Sequence, residues 1–119
     1  PTAYGGIDWT SLAALEFEEP DRKRFPCLEL AYDAGRAGDL APAWLNAANE
    51  VAVSAFLSGR IRWTVIAEVV AESLDRYDAP ARSGPGDDPQ GRTVDDVLEA
   101  DATARRVAEL AVRAREVAA

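Results

Sequence analysis

Several residue types that usually carry catalysis or metal binding are missing or scarce in this sequence. Its 119 residues include no histidine, which is the commonest general base and the commonest neutral metal ligand. Cys27 is the only cysteine, so an internal disulfide is excluded, and a reducing cytoplasm suits the chain best. No apolar run approaches the roughly 20 residues that span a bilayer, and no secretory signal is recognisable.

Methionine is also missing, so the sequence contains no initiator residue. The simplest explanation is a processed or excised piece of a larger protein. We therefore expect the opening PTAYGGIDW to lie in the middle of a longer polypeptide.

The overall composition is that of one globular domain. Apolar residues make up 48% and charged residues 29% of the chain, as in ordinary folded proteins, and this length can bury a core without disulfides or metal. The formal net charge is −8, which argues against nucleic acid or an anionic membrane as partner because both require a basic surface.

Residues 1–24 have the composition of a connector rather than of a helix. A short extended piece is possible around residues 12–17, and it would end at the Glu-Glu-Pro of 18–20. The basic DRKR at 21–24 allows a phosphate-binding patch, but a solvated turn is the simpler interpretation.

From Phe25 onwards, apolar residues recur at helical spacing. Proline suits a first helical position, glycine suits a helix stop, and threonine or aspartate suits an N-cap. We predict a first helix from Pro26 to Gly38, a second from about Pro42 to Leu57 with Gly59 as its stop, a third capped by Thr64 and reaching Tyr77, a short segment that follows a capping box at Thr93–Asp96, and a last helix capped by Asp101.

Residues 78–92 contain three prolines and three glycines and almost no apolar residue. They predict a long loop, which allows either a lid or a tolerated insertion; we favour the insertion because no reactive side chain lies on it. No strand-rich section is evident. The predicted fold is therefore all-α, a bundle of about four helices (residues 25–119) preceded by an extended connector arm (residues 1–24).

Carboxylates are the only plentiful reactive groups. The cluster Asp95, Asp96, Glu99 and Asp101 allows a hard-cation site, but the calcium-loop pattern is missing and helix capping explains these acids more simply. No glycine-rich nucleotide motif or nucleophile-elbow motif occurs. We therefore predict no catalytic, cofactor-binding or metal-binding residue in this chain.

The stretch LNAANEVAVSAFL at 45–57 places Asn46, Asn49 and Glu50 in an otherwise apolar helix. Three interpretations are open: a catalytic site, a solvent face, or buried structural braces. Val53 and Leu57 continue the same side of the helix one turn later, so we predict an almost fully buried central helix. On this hypothesis the three polar residues are structural and together tie the arm to the bundle: Asn46 meets Glu50, and Asn49 binds main-chain groups of the arm or of an adjacent helix.

Four segments occur in a distinctive order: FPCLELA at 25–31, LNAANEVAVSAFL at 45–57, IRWTVI at 61–66 and VDDVLEADATAR at 94–105. Together with LAALEFEEPDRKRFP before them, they resemble the C-terminal part of 1-deoxy-D-xylulose 5-phosphate reductoisomerase. The resemblance covers nearly the whole chain, and LNAANE is its most specific part.

The resemblance implies a parent enzyme of isoprenoid biosynthesis that converts 1-deoxy-D-xylulose 5-phosphate to 2-C-methyl-D-erythritol 4-phosphate. Such an enzyme uses NADPH and a divalent cation (Mg²⁺ or Mn²⁺) and is a homodimer. Its nucleotide-binding and catalytic domains precede the helical domain, and none of their motifs matches a position here. The resemblance thus implies an inactive domain that braces the catalytic one.

Two other hypotheses remain open. The first is a self-standing helical interaction module that presents Trp9 or Trp63 to a partner. The second is a regulatory cation site at Asp95–Asp101.

Overall fold

The structure, a computed structural model, describes residues 14–77 and 92–116. These two ranges contain four α-helices and no β-strand, which confirms the predicted all-α bundle. Residues 1–13 of the connector and nearly all of the predicted loop at 78–92 lie outside the described residues. The helices are α1 (Cys27–Ala37), α2 (Ala41–Leu57), α3 (Val65–Asp75) and α4 (Val94–Arg113).

Most helix boundaries follow the predicted signals. Gly38 (φ 67°) and Gly59 (φ 74°) have positive φ angles directly after α1 and close behind α2, where glycine carries no Cβ penalty. At the start of α4, Asp96 N–H donates to Thr93 Oγ1, and Thr93 N–H donates to the Asp96 carboxylate at 2.8 Å. The predicted capping box is therefore confirmed, with aspartate in the position that glutamate usually takes.

Three boundary predictions are wrong. Asp101 does not cap a separate last helix, because α4 runs without a break from Val94 to Arg113. Its carboxylate instead accepts a hydrogen bond of 2.7 Å from Arg105, one turn further on. Thr64 precedes α3 but makes no side-chain cap hydrogen bond, and α3 ends at Asp75 rather than at Tyr77.

The core lies along α2 and is built largely from small residues. At one end, Trp44 and Ala47 of α2 pack with Ala100 and Ala104 of α4. Further along, three α2 alanines pack with α4 and α3, so α2 and α4 run side by side in the same direction. This second cluster comprises Ala48, Ala52, Ala55, Ile61, Val69, Ala108, Ala111 and Val112. Small side chains allow the helix backbones to approach closely.

The described part of the arm, residues 14–20, has no regular secondary structure and is exposed throughout. Leu15 is 65% and Phe17 is 90% exposed. The arm then turns at Asp21, whose carboxylate accepts the main-chain N–H groups of Lys23 and Arg24 at 3.0 Å each. This Asx-type turn agrees with the interpretation of DRKR as a solvated turn.

None of the helices in the described part of the chain combines the length and the apolar character that crossing a bilayer requires.

Candidate functional site

A chain of polar contacts connects α2 with α4 on the outside of the bundle. Arg105 of α4 donates to the Glu50 carboxylate of α2 at 2.6 Å and to Asp101 at 2.7 Å. Glu50 also accepts a hydrogen bond of 3.2 Å from the Asn46 amide. The Arg105 guanidinium, followed by the Asn46 amide, lowers the pKa of Glu50. Asn46, Glu50, Arg105 and Asp101 are called the α2–α4 clasp below.

The predicted contact between Asn46 and Glu50 is present, but the expectation that these residues are buried is wrong. Both side chains are exposed, and Asn49 is half-buried. Further along the same side of α2, Leu57 is 76% exposed. On this side Asn46, Glu50 and Leu57 are therefore exposed and Val53 is half-buried, and Arg105 of α4 reaches Glu50.

The expected tie between Asn49 and the arm does not form within the described ranges, where no hydrogen bond joins Asn49 to residues 14–24. The connection that the sequence did not predict is the one between Glu50 and Arg105, which are 55 residues apart. Helical spacing indicates which residues share one helix face, but it does not indicate which face of α4 lies opposite.

Two further arginine clusters join the far end of α4 to the rest of the bundle. Arg60, in the link after α2, binds Glu109 at 2.7 Å and Glu116 at 2.6 Å. Arg115, just beyond α4, binds Glu72 of α3 at 2.6 Å. Hydrogen bonds from these arginines lower the pKa of Glu109 and of Glu72.

An apolar groove lies where the arm enters the bundle. It has a volume of about 290 Å³ and is formed by the start of α1 on one side and the start of α3 on the other. Trp63 and Phe25 line it and are 57% and 52% exposed. The residues that line this arm-end groove are Lys23, Arg24, Phe25, Pro26, Cys27, Trp63, Thr64, Ile66 and Ala67.

A second cavity of about 330 Å³ lies beside Trp44 and Tyr77. Burial, and then the nearby Asp39 charge, raise the pKa of Tyr77. Arg92 at the cavity wall binds Asp39 through two hydrogen bonds of 2.7 and 2.8 Å. Asp96, Glu99 and Thr103 also line this cavity.

No group of three or more histidine, cysteine, aspartate or glutamate side chains in the described ranges could hold a metal ion. The acids at the start of α4 have other tasks: Asp96 completes the capping box and Asp101 binds Arg105. The Cys27 thiol is exposed, and partial desolvation raises its pKa, which makes it less nucleophilic. The prediction that this chain contributes no catalytic, cofactor-binding or metal-binding residue stays a prediction.

Comparison with known proteins gives a consistent result. Residues 2–107 match the family described as the DXP reductoisomerase C-terminal domain. The chain is 52% identical over 112 residues to a 1-deoxy-D-xylulose 5-phosphate reductoisomerase of Cupriavidus taiwanensis, an alignment that covers 94% of this chain and 26% of that protein. It is 54% identical over 103 residues to the enzyme of Cupriavidus metallidurans, covering 87% of this chain and 24% of that protein.

The fold gives the same answer as the sequence. The structure of 1-deoxy-D-xylulose 5-phosphate reductoisomerase from Zymomonas mobilis in complex with NADPH superposes with a TM-score of 0.74 at 37% identity. The match covers 94% of this chain and 27% of that protein. The chain therefore spans about a quarter of the length of these relatives. It belongs to the 1-deoxy-D-xylulose 5-phosphate reductoisomerase family and corresponds to the C-terminal helical domain of that family.

Proposed function

We propose that this chain is the bracing domain of a longer reductoisomerase polypeptide and that the chemistry takes place in the part that precedes it. The observation that carries this proposal is the quarter-length match to relatives that are complete enzymes by name. A domain of this size, with a core of its own and its polar groups engaged in ion pairs, is suited to support rather than to catalysis.

The parent polypeptide, on this proposal, converts 1-deoxy-D-xylulose 5-phosphate to 2-C-methyl-D-erythritol 4-phosphate with NADPH. The NADPH complex of the Zymomonas mobilis relative supports the choice of cofactor. A divalent cation, Mg²⁺ or Mn²⁺, a homodimeric state and a cytoplasmic location belong to the same proposal. None of these ligands is assigned to a residue of this chain.

Exposed apolar side chains indicate where bracing takes place. Leu15 and Phe17 of the arm and Leu57 of α2 are each at least 65% exposed, and burial against another domain would remove their apolar surface from water. On the same side of α2 as Leu57, Glu50 binds Arg105 of α4 at 2.6 Å. The clasp therefore keeps the docking side of α2 in a fixed orientation.

Complementation tests this function. The parent polypeptide truncated before residue 1 is mixed with residues 1–119, and NADPH oxidation is measured with 1-deoxy-D-xylulose 5-phosphate as substrate. We expect the truncated protein to be inactive alone and to regain activity in the mixture. A control mixture contains the Ala104→Leu variant, whose overfilled core disturbs the bundle, and it should restore less activity.

Turnover by residues 1–119 alone, or stoichiometric NADPH binding to them in a calorimetric titration, would contradict the proposal. The mixture could also stay inactive while the covalently continuous parent polypeptide is active. That result would mean that this domain braces the enzyme only when both parts belong to one polypeptide.

The exposure of Trp63 favours one second candidate, a self-standing interaction module with this indole as its anchor. The intact mass of the native protein separates the two proposals. A mass close to 12.8 kDa supports the module, and a mass about four times as large supports the reductoisomerase polypeptide.

A further inference from the structure

The arm-end groove presents apolar surface that no described residue covers. Phe25 and Trp63 both line it and remain about half exposed, although both belong to segments with fixed local structure. The N–H of Leu28 donates to the Phe25 carbonyl at 3.1 Å, and the N–H of Ile66 donates to the Trp63 carbonyl at 3.2 Å. The groove is thus formed before anything occupies it, which lowers the entropy cost of docking.

The rim of the groove carries positive charge in a chain whose net charge is −8. Lys23 and Arg24 line its edge, and no ion-pair partner of either side chain is found in residues 14–77 and 92–116. Arg22, in the same turn, is bound to Glu29 at 2.7 Å. An occupant with an apolar side chain and a neighbouring carboxylate therefore complements both the floor and the rim.

The location of the groove indicates which molecule supplies that occupant. The arm joins the bundle at Phe25, on the wall of the groove, so any domain that precedes the arm is tethered beside it. The relatives are about four times as long as this chain, and the matched region is their C-terminal domain. The connector arm spans residues 1–24, and a tether of this order of length gives an effective concentration of about 1 mM, so a weak contact suffices for docking.

We propose that the arm-end groove docks an apolar side chain flanked by a carboxylate from the preceding domain of the same polypeptide. The inference rests on the proposed function, since it requires that such a domain exists. It adds the place of contact: the bracing surface includes the start of α1 and the start of α3, and Trp63 is its central anchor.

Cys27 is a natural reporter because it lines the groove and is the only cysteine of the chain. The full-length parent polypeptide and residues 1–119 are each pulsed with N-ethylmaleimide at one pH, and the Cys27 peptide is quantified by mass spectrometry. We expect labelling of Cys27 to be roughly tenfold slower or more in the full-length protein, since a docked segment must first open.

The control for this experiment places the reporter on an exposed part of α4. In the Cys27→Ser background, Ala102→Cys should be labelled at the same rate in the full-length protein and in residues 1–119. Circular dichroism should show that the two substitutions leave the helix content of each protein unchanged. Equal labelling of Cys27 in both proteins would overturn the groove proposal, and so would equal slowing at Ala102→Cys. Cys27 protection that grows with the concentration of residues 1–119 alone would assign the groove to a second copy, which also overturns it.

A second measurement does not depend on the thiol. Trp63→Ala should lower the Tm of the full-length protein more than that of residues 1–119, because the indole is covered only in the former. Leu110→Ala is the matched control, since Leu110 is also 57% exposed but lies on α4 outside the groove; it should shift both Tm values equally. If complementation succeeds while Trp63→Ala behaves like Leu110→Ala, the bracing function stands and the groove proposal fails.

Discussion

The indole Nε1 of Trp44 in α2 donates a hydrogen bond of 2.7 Å to the main-chain carbonyl of Ser73 in α3. Both residues are buried, and the Trp44 ring also contacts Tyr77 with a centroid distance of 5.3 Å. The bond joins residues 29 positions apart, and it directs the end of α3 towards the first half of α2.

Loss of this hydrogen bond should destabilise the bundle. Trp44→Phe keeps an aromatic ring but removes the donor, so the buried Ser73 carbonyl loses one partner; we expect a decrease of about 1–3 kcal/mol in the free energy of unfolding. Urea unfolding of residues 1–119 measures the change. Trp63→Phe, at an exposed position, is the control and should stay within about ±0.5 kcal/mol. Equal effects of the two substitutions would show that the hydrogen bond contributes little.

The buried alanine positions between α2 and α4 should not tolerate larger side chains. Ala104 is fully buried against α2, so Ala104→Leu must displace a helix or strain its own side chain, and we expect a loss of about 1–3 kcal/mol or more. Ala102→Leu adds the same atoms at an exposed position two residues away and should be nearly neutral. Thermal unfolding by circular dichroism compares the two variants. A neutral Ala104→Leu would mean that the helices are packed less closely than described.

Asn49 tests the corrected interpretation of LNAANE. Its side chain is half-buried, and within the described ranges no hydrogen bond connects it to the arm. We therefore expect Asn49→Ala to change the unfolding free energy of residues 1–119 by no more than about 0.5 kcal/mol. Chemical denaturation provides the measurement, with Asn46→Ala as a neighbouring exposed control. A markedly larger loss for Asn49→Ala alone would restore the hypothesis of a structural tie.

Acidification should weaken the bundle through its arginine-bound carboxylates. The pKa values of Glu72 and Glu109 lie below the ordinary 4.5 in the folded state, so near that pH the unfolded chain binds more protons than the folded one. The stabilising contribution of these two carboxylates is therefore complete above about pH 5, and it decreases as the pH drops through 4.5 and below. The measurement is the Tm between pH 7 and pH 3 at low salt.

The matched variants for this pH series are Glu109→Gln and Glu18→Gln. The first removes a carboxylate that Arg60 binds and should flatten the acid decline. The second removes a carboxylate of the exposed arm and should leave the decline unchanged. Added salt should reduce the whole effect because it screens partly exposed ion pairs. A Tm that rises on acidification would contradict the assigned sign.

Local signals in the sequence were sufficient for most of the secondary structure. Gly38 and Gly59 end α1 and α2 because their backbone conformations favour glycine. Thr93 and Asp96 start α4 because their side chains satisfy N–H groups that the helix leaves free. The misplaced helix start at Asp101 arose because aspartate is a good N-cap in isolation, whereas in the structure Arg105 binds it within an unbroken helix.

The location of each polar residue relative to solvent could not be predicted in the same way. Asn46 and Glu50 share a helix side with Val53 and Leu57, and that pattern predicted burial. In the described bundle this side faces outward, because α4 packs on the alanines of α2 and only the Arg105 side chain reaches Glu50. An apolar helix side can be covered by its own domain or by another one, and the sequence of one domain does not distinguish the two.

The sequence by itself determined the all-α class, most of the helix ends, the Asn46–Glu50 contact and the family. These follow from interactions within one helical turn and from residue patterns along the chain. Only the tertiary structure decided that Glu50 meets Arg105, that Trp44 reaches Ser73, and that Phe25 and Trp63 form a groove. Those contacts join distant residues, and they depend on the direction and rotation of whole helices, which the packing of small side chains in the core sets.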